Sequence, residues 1–256
     1  MTQHAQITRV AGRRPGVDAE PAPPTNHDRR PRVRPGVVLV ALFVAAFLID
    51  TLPPYLGLDP AKSRIVLRPD FAGHYTLLIL HIAAGTIALS TLCLQLWPWL
   101  RRTHPKVHRT VGRIYVFGGA LPSALLALAI MPLTHGWSAN MGITFHAVLW
   151  FAVTAIGFWH AKHHRYALHR RFMLYSVALA LGILWGRATV NLYLLLPVKF
   201  DVGYVFEMAR WGGWFINLLV VQWWLERTDK RNGVQHTLPA EDQDAIDERA
   251  VPVGDR

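Results

Sequence analysis

Four of the chain's 13 histidines, His81, His108, His146 and His169, recur near the starts of successive apolar stretches. Imidazole can ligate a transition metal or carry a proton near neutral pH. Two rings facing each other across a helical bundle can supply both axial ligands of a haem iron. Such a site is coordinatively saturated and transfers electrons rather than binding oxygen. His81 and Gly85, and likewise His108 and Gly112, are one helical turn apart, so a small residue sits where a porphyrin would lie against the helix. Arg109, Arg113, Arg170 and Arg171 flank His108 and His169, and Arg187 follows deep in a later stretch. Their guanidinium groups suit haem propionates.

Such a constellation needs helices that cross a membrane, and the composition predicts them. Apolar residues are 52% of the 256 and charged residues only 17%, below the roughly 25% of soluble domains. A helix needs about 20 apolar residues to span the hydrocarbon. The candidates are 36–56, 73–96, 111–133, 141–159, 172–196 and 205–225. Asp50 and Pro53-Pro54 weaken the first. The expected fold is therefore all-α: a polytopic transmembrane bundle of about six spans, with spans two to five as a four-helix core. Residues 1–35 read as a disordered basic arm and 227–256 as a charged, disordered tail, leaving 36–226 as the membrane domain.

The net charge of +11 would suggest nucleic acid in a soluble protein. Here the basic residues flank apolar segments, so the charge reports topology, and no nucleic-acid partner is expected. With the N-terminus inside, the cytoplasmic pieces carry 21 Lys and Arg and the external loops 5. Both termini are thus expected in the cytoplasm of a bacterial inner-membrane protein. The single cysteine, Cys93, has no disulfide partner in the chain.

Because spans alternate in direction, the histidines sort by side. His81 and His146 belong toward the outside, roughly 8–12 Å below the boundary at about 1.5 Å per residue. His108 and His169 belong at the cytoplasmic boundary. Each pair comes from alternate helices at matched depth, the arrangement expected for two b-type haems, one above the other. His74 and His135 are rival outer ligands, and His160, His163, His164 and His169 form a basic interfacial cluster with metal-binding potential. Arg187 needs a partner in the hydrocarbon, and Asp50, at similar depth, is its expected counter-ion. Asn191 and Asn217 are candidates for hydrogen bonds between helices.

The strings His81-Ile-Ala-Ala-Gly85, His108-Arg-Thr-Val-Gly112-Arg113-Ile-Tyr115 and His169-Arg-Arg-Phe-Met173 resemble the bacterial membrane-protein family designated domain of unknown function 2306. Arg187 and Trp211-Gly-Gly-Trp214-Phe-Ile-Asn217 resemble it too, so the likeness runs from about 73 to 226. It implies a fold and a location and carries no activity. Leu174-Tyr175 replaces the more basic Ile-Arg expected after the last histidine motif. A looser likeness, of architecture alone, is to dihaem transmembrane cytochromes b and ferric reductases.

The expected function is a b-type dihaem electron carrier in the lipid bilayer, exchanging electrons with a quinone or another redox partner. Two other classes compete. A small transporter or channel would use Arg187 and Asp50 as its charged path, although no broken-helix pair or inverted repeat is visible. A non-catalytic membrane subunit or assembly factor would use the basic face to dock a partner or anionic lipid.

Overall fold

A computed structural model describes residues 34–134, 137–197 and 201–231, with the backbone alone for 137–140 and 231. The arm before residue 34, His135 and the tail after residue 231 lie outside the described residues. The protein is an all-α membrane bundle with no strand among the described residues. The helices are α1 (Pro35–Thr51), α2 (Pro53–Leu56), α3 (Gly73–Gln95), α4 (Pro98–Thr103), α5 (Pro105–Arg113), α6 (Leu121–Ile130), α7 (Trp137–Lys162), α8 (Tyr166–Leu195) and α9 (Val202–Arg231). A π-helical stretch, Ile114–Ala120, fuses α5 to α6. Among the described residues, four helical segments are long and apolar enough to cross a membrane: 73–95, 105–133, 141–162 and 166–195.

Proline and glycine set the boundaries. Pro35, Pro53, Pro98 and Pro105 each occupy a helix's first turn, where the missing N–H costs no intrahelical bond. Pro53 and Pro54 also end α1: Leu52 keeps helical angles, but neither proline has an N–H to donate back to Ile49 or Asp50. Helices α3, α6, α7 and α8 pack in chain order, α9 lies against α8 and α7, and α1 leans on α3 and α8. The main core joins Val44 of α1, Ala88, Leu89 and Leu92 of α3, Tyr115 and Val116 of the π stretch, and Ala180 and Leu184 of α8.

Without a strong solvophobic drive between apolar helices in lipid, close contact depends on small residues and buried hydrogen bonds. A methyl group on Gly119 would lie 2.8 Å from the Cα and N of Ala88, so the π stretch rides directly on the α3 backbone. Gly182 and Gly213 do the same between α8 and α9. A Cβ on Gly182 would meet the Cα of Trp214 at 2.7 Å, and one on Gly213 the carbonyl oxygen of Gly182 at 2.6 Å. Asn217 of α9 then donates to the carbonyl of Ala178 (3.0 Å) and accepts from Trp185 Nε1 (3.1 Å). At the bundle centre, Ser176 Oγ bonds both Tyr115 Oη (2.6 Å) and Thr154 Oγ1 (2.7 Å). Three helical segments are thereby tied through one hydroxyl.

The α8–α9 seam yields a test. Gly182→Leu should lower stability by about 1–3 kcal/mol, the usual effect of overpacking. Gly212→Ala, with nothing within 4 Å and a helical position that favours alanine over glycine, should instead raise the melting temperature of the detergent-purified protein slightly.

Candidate functional site

His81 and His146 open onto the same cavity. It encloses about 130 Å³ and is walled by α1 (Phe47, Leu48, Thr51), α3, α7 (Trp150) and α8 (Leu179, Ile183), with Ser123 of α6 beside His81. His81 stands two turns into α3, and its Nδ1 lies 2.9 Å from the Ser123 carbonyl oxygen. His146 reaches from α7 to α8, where its Nε2 lies 3.0 Å from the carbonyl oxygen of Leu179. A carbonyl oxygen can only accept, so each of these nitrogens carries the proton. In the neutral ring the other nitrogen keeps its lone pair: Nε2 on His81 and Nδ1 on His146. Trp214 of α9 stacks beside His146, with ring centroids 5.9 Å apart and planes 16° from parallel. Gly85 lines the cavity, where a Cβ would sit 3.5 Å from Ser123 Oγ. Thr51 Oγ1 is buried in the wall without a hydrogen-bond partner among the described residues.

The rival outer ligand is committed elsewhere. His74 Nδ1 accepts the backbone N–H of Arg68 at 3.0 Å, which turns the ring toward the 57–72 loop.

At the opposite, basic end, His169 donates from Nδ1 to the carbonyl of Gly157 on α7 (2.8 Å) and keeps Nε2 free. His108 is half-buried on α5, within electrostatic range of His169, and its Nδ1 is buried without a partner among the described residues. The space beside Gly112 holds the Gln95 side chain, 3.6 Å from where a Cβ would be, and Gln95 donates to the His108 carbonyl (2.9 Å). The arginines expected around this pair divide. Arg109 and Arg113 are exposed on α5. Arg170 lies over Trp224 of α9 (5.3 Å), and Arg171 bonds Tyr175 and Gln222. Arg101, which spacing alone did not single out, is the arginine nearest in influence to His108.

Arg187 and Asp50 meet at the far end of the cavity wall. Arg187 Nε lies 2.9 Å from Asp50 Oδ2, and Arg64 of the 57–72 loop reaches the same oxygen at 3.2 Å. One carboxylate thus holds two guanidinium groups, fastening α1, the loop and α8 together with one positive charge in excess. Elsewhere, His160 stacks on Phe172 with its buried Nδ1 unpartnered among the described residues, while His163 and His164 are engaged. His163 Nδ1 donates to the Trp159 carbonyl, and His164 Nδ1 lies 2.9 Å from Tyr166 Oη. Among the described residues, no three His, Cys, Asp or Glu side chains are grouped to hold a metal ion.

The model of a family described as "Predicted membrane protein (DUF2306)" matches residues 78–225. The chain belongs to the DUF2306 family. No curated protein and no solved structure matches it.

The DUF2306 match takes in all four histidines, Gly85, Gly112, Arg187 and the Trp211–Trp214 motif. It leaves out α1 and the 57–72 loop, so Asp50, the partner of Arg187, and Arg64, which shares that carboxylate, both come from outside the matched region. This clasp can be measured directly. Asp50→Asn and Arg187→Gln should each reduce thermal stability, and the double variant should lose little more than either alone. The coupling should be about 1 kcal/mol. The upper end of the surface range suits side chains still 37% and 33% exposed. Strict additivity of the two losses would show that the pair contributes nothing.

Proposed function

We propose that this DUF2306 protein is a b-type electron carrier of a bacterial inner membrane, with both termini cytoplasmic and its His81–His146 cavity toward the outside. The orientation rests on the Lys and Arg distribution. The redox reading rests on one observation: two histidines from separate spans border one cavity, each with a ring nitrogen engaged by a carbonyl of the neighbouring helix. Metal-bound imidazoles characteristically donate their second N–H in this way, which sets the tautomer and raises the basicity of the ligating nitrogen. His169 repeats the pattern at the basic end, where His108 would be its partner. An iron porphyrin with two imidazole ligands supplies one-electron chemistry without an open coordination position.

The donor set suits this group better than the space does. A cavity of about 150 Å³ accommodates a benzene ring, and this one is about 130 Å³. A porphyrin therefore requires the α1 wall of Phe47, Leu48 and Thr51 to stand further out than it does here. His146 would present Nε2, the less hindered nitrogen, only by releasing the Leu179 carbonyl. The volume favours a second reading, a quinol site. A single dihydroxylated ring would donate its two O–H groups to the lone pairs of His81 and His146, which would hold it without any change of oxidation state.

An absorption spectrum of the purified full chain distinguishes the two. The haem reading expects a Soret band that shifts on dithionite reduction. His81→Ala and His146→Ala should remove one haem per chain, and His108→Ala and His169→Ala the other. A colourless, iron-free protein from haem-replete cells would overturn it. Quenching of Trp150 and Trp214 fluorescence by a short-chain quinol would then support the quinol site.

A further inference from the structure

Four guanidinium groups from separate parts of the chain converge at the basic end. They are Arg34 at the start of α1, Arg101 and Arg102 on α4, and Arg170 on α8. Arg101 feels the charge of the other three, and His108 of α5 feels Arg101 in turn. Helix α3 touches α1, α4, α5 and α8, so the ends that carry these arginines are arranged around one neighbour, and buried Leu100 anchors α4 there.

No described carboxylate answers this charge. Among the described residues, the ion pairs involve Lys62, Arg64, Arg68, Arg187 and Arg210, none of them at this end. The acids of the basic end, Glu226 and Asp229, lie on α9 and act on Arg171. Among the described residues, Arg170 lies over the π face of Trp224 and forms no ion pair. Lost hydration, followed by the charges of Arg170, Arg102 and Arg34, weakens Arg101's hold on its proton, as expected for like charges crowded together. Two polar atoms nearby lack partners among the described residues: Trp97 Nε1, just before α4, and His108 Nδ1. The indole nitrogen can only donate. Trp97 and Trp99, 5.0 Å apart, also mark the level, because indoles at the end of a spanning helix settle among lipid head groups.

We propose that Arg34, Arg101, Arg102 and Arg170 form a phosphate-binding site between α1, α4 and α8, fitted to the head group of an anionic phospholipid or to a free phosphate. Guanidinium groups match phosphate oxygens in forked pairs, and basic pockets between spans favour anionic head groups. The site lies apart from the cavity and does not depend on what the cavity holds.

The test uses the full chain in detergent, with native mass spectrometry against diphosphatidylglycerol, phosphatidylcholine and inorganic phosphate. The anionic lipid should be retained and the neutral one lost. Arg101→Gln and Arg170→Gln should each weaken retention about fivefold, the equivalent of about 1 kcal/mol per basic residue. Arg227→Gln, whose guanidinium stacks on Trp223 of α9, should leave retention unchanged. Arg101→Gln should also raise the melting temperature of the lipid-free protein, because it relieves repulsion, an effect not expected of a structural arginine. Displacement of the lipid by millimolar phosphate, with the same dependence on the variants, would identify a soluble phosphate as the ligand. Resistance to displacement would identify the lipid. Equal retention of both lipids without phosphate binding, or variants that match Arg227→Gln, would overturn the site.

Discussion

Within hydrocarbon, a buried polar group is costly unless it finds a partner inside the protein, because no water is there to take its place. That constraint explains the bonds that join one span to the next. His81 reaches across to the Ser123 carbonyl, His146 to Leu179, His169 to Gly157 and Asn217 to Ala178. Each of these carbonyls lies within a helix, and a carbonyl oxygen has a second lone pair for a side chain from a neighbour. The hydroxyl trio of Tyr115, Ser176 and Thr154 follows the same logic at mid-depth. The polar side chains that define the candidate site are therefore also fasteners of the bundle, joining α3 to α6 and α7 to α8.

The fasteners reach only because the backbones come close. Gly119 against Ala88, and Gly182 against Gly213 and Trp214, remove the side chains that would hold the helices apart. The π stretch contributes differently. An extra residue in its turns shifts the phase of everything that follows, and the segment places both Tyr115 and Ser123 toward the bundle interior. Trp214 links the seam to the site, since the α9 residue that fills the notch at Gly182 is also the one stacked on His146.

The membrane makes much of this legible in the sequence. It reduces folding to spans and depths, and both can be counted. Depth matching alone paired His81 with His146, which now border one cavity, and it paired Arg187 with Asp50, which now touch. Helical phase was not available from counting. Arg170 and Arg171 turn toward Trp224 and Gln222 because of how α9 is rotated, and neither hydropathy nor charge encodes that rotation. Gln95 behind Gly112 was missed for a related reason: its relation to α5 depends on the sharp turn through α4. Helix ends were also invisible to hydropathy. Helix α5 begins at Pro105, in a polar segment with no apolar run to announce it. The ring-sized cavity depends on side-chain volumes from five segments at once, which no linear pattern carries.

The segment outside the family match is also the least firmly held wall of the site. Helix α1 is 17 residues, about 26 Å at 1.5 Å per residue, short of a hydrocarbon core of about 30 Å. It meets the core along Val40, Phe43, Val44, Phe47 and Leu48, and its last turn is held by Asp50. The other walls belong to helices tied to one another by buried hydrogen bonds, whereas α1 relies on apolar contact and a clasp that is one-third exposed. In lipid, apolar contact between helices competes with equally apolar acyl chains, so the clasp carries a disproportionate share of the attachment. If the cavity is to admit anything larger than one ring, α1 is the wall that can yield at least cost, and Asp50 is the residue that determines how readily it does.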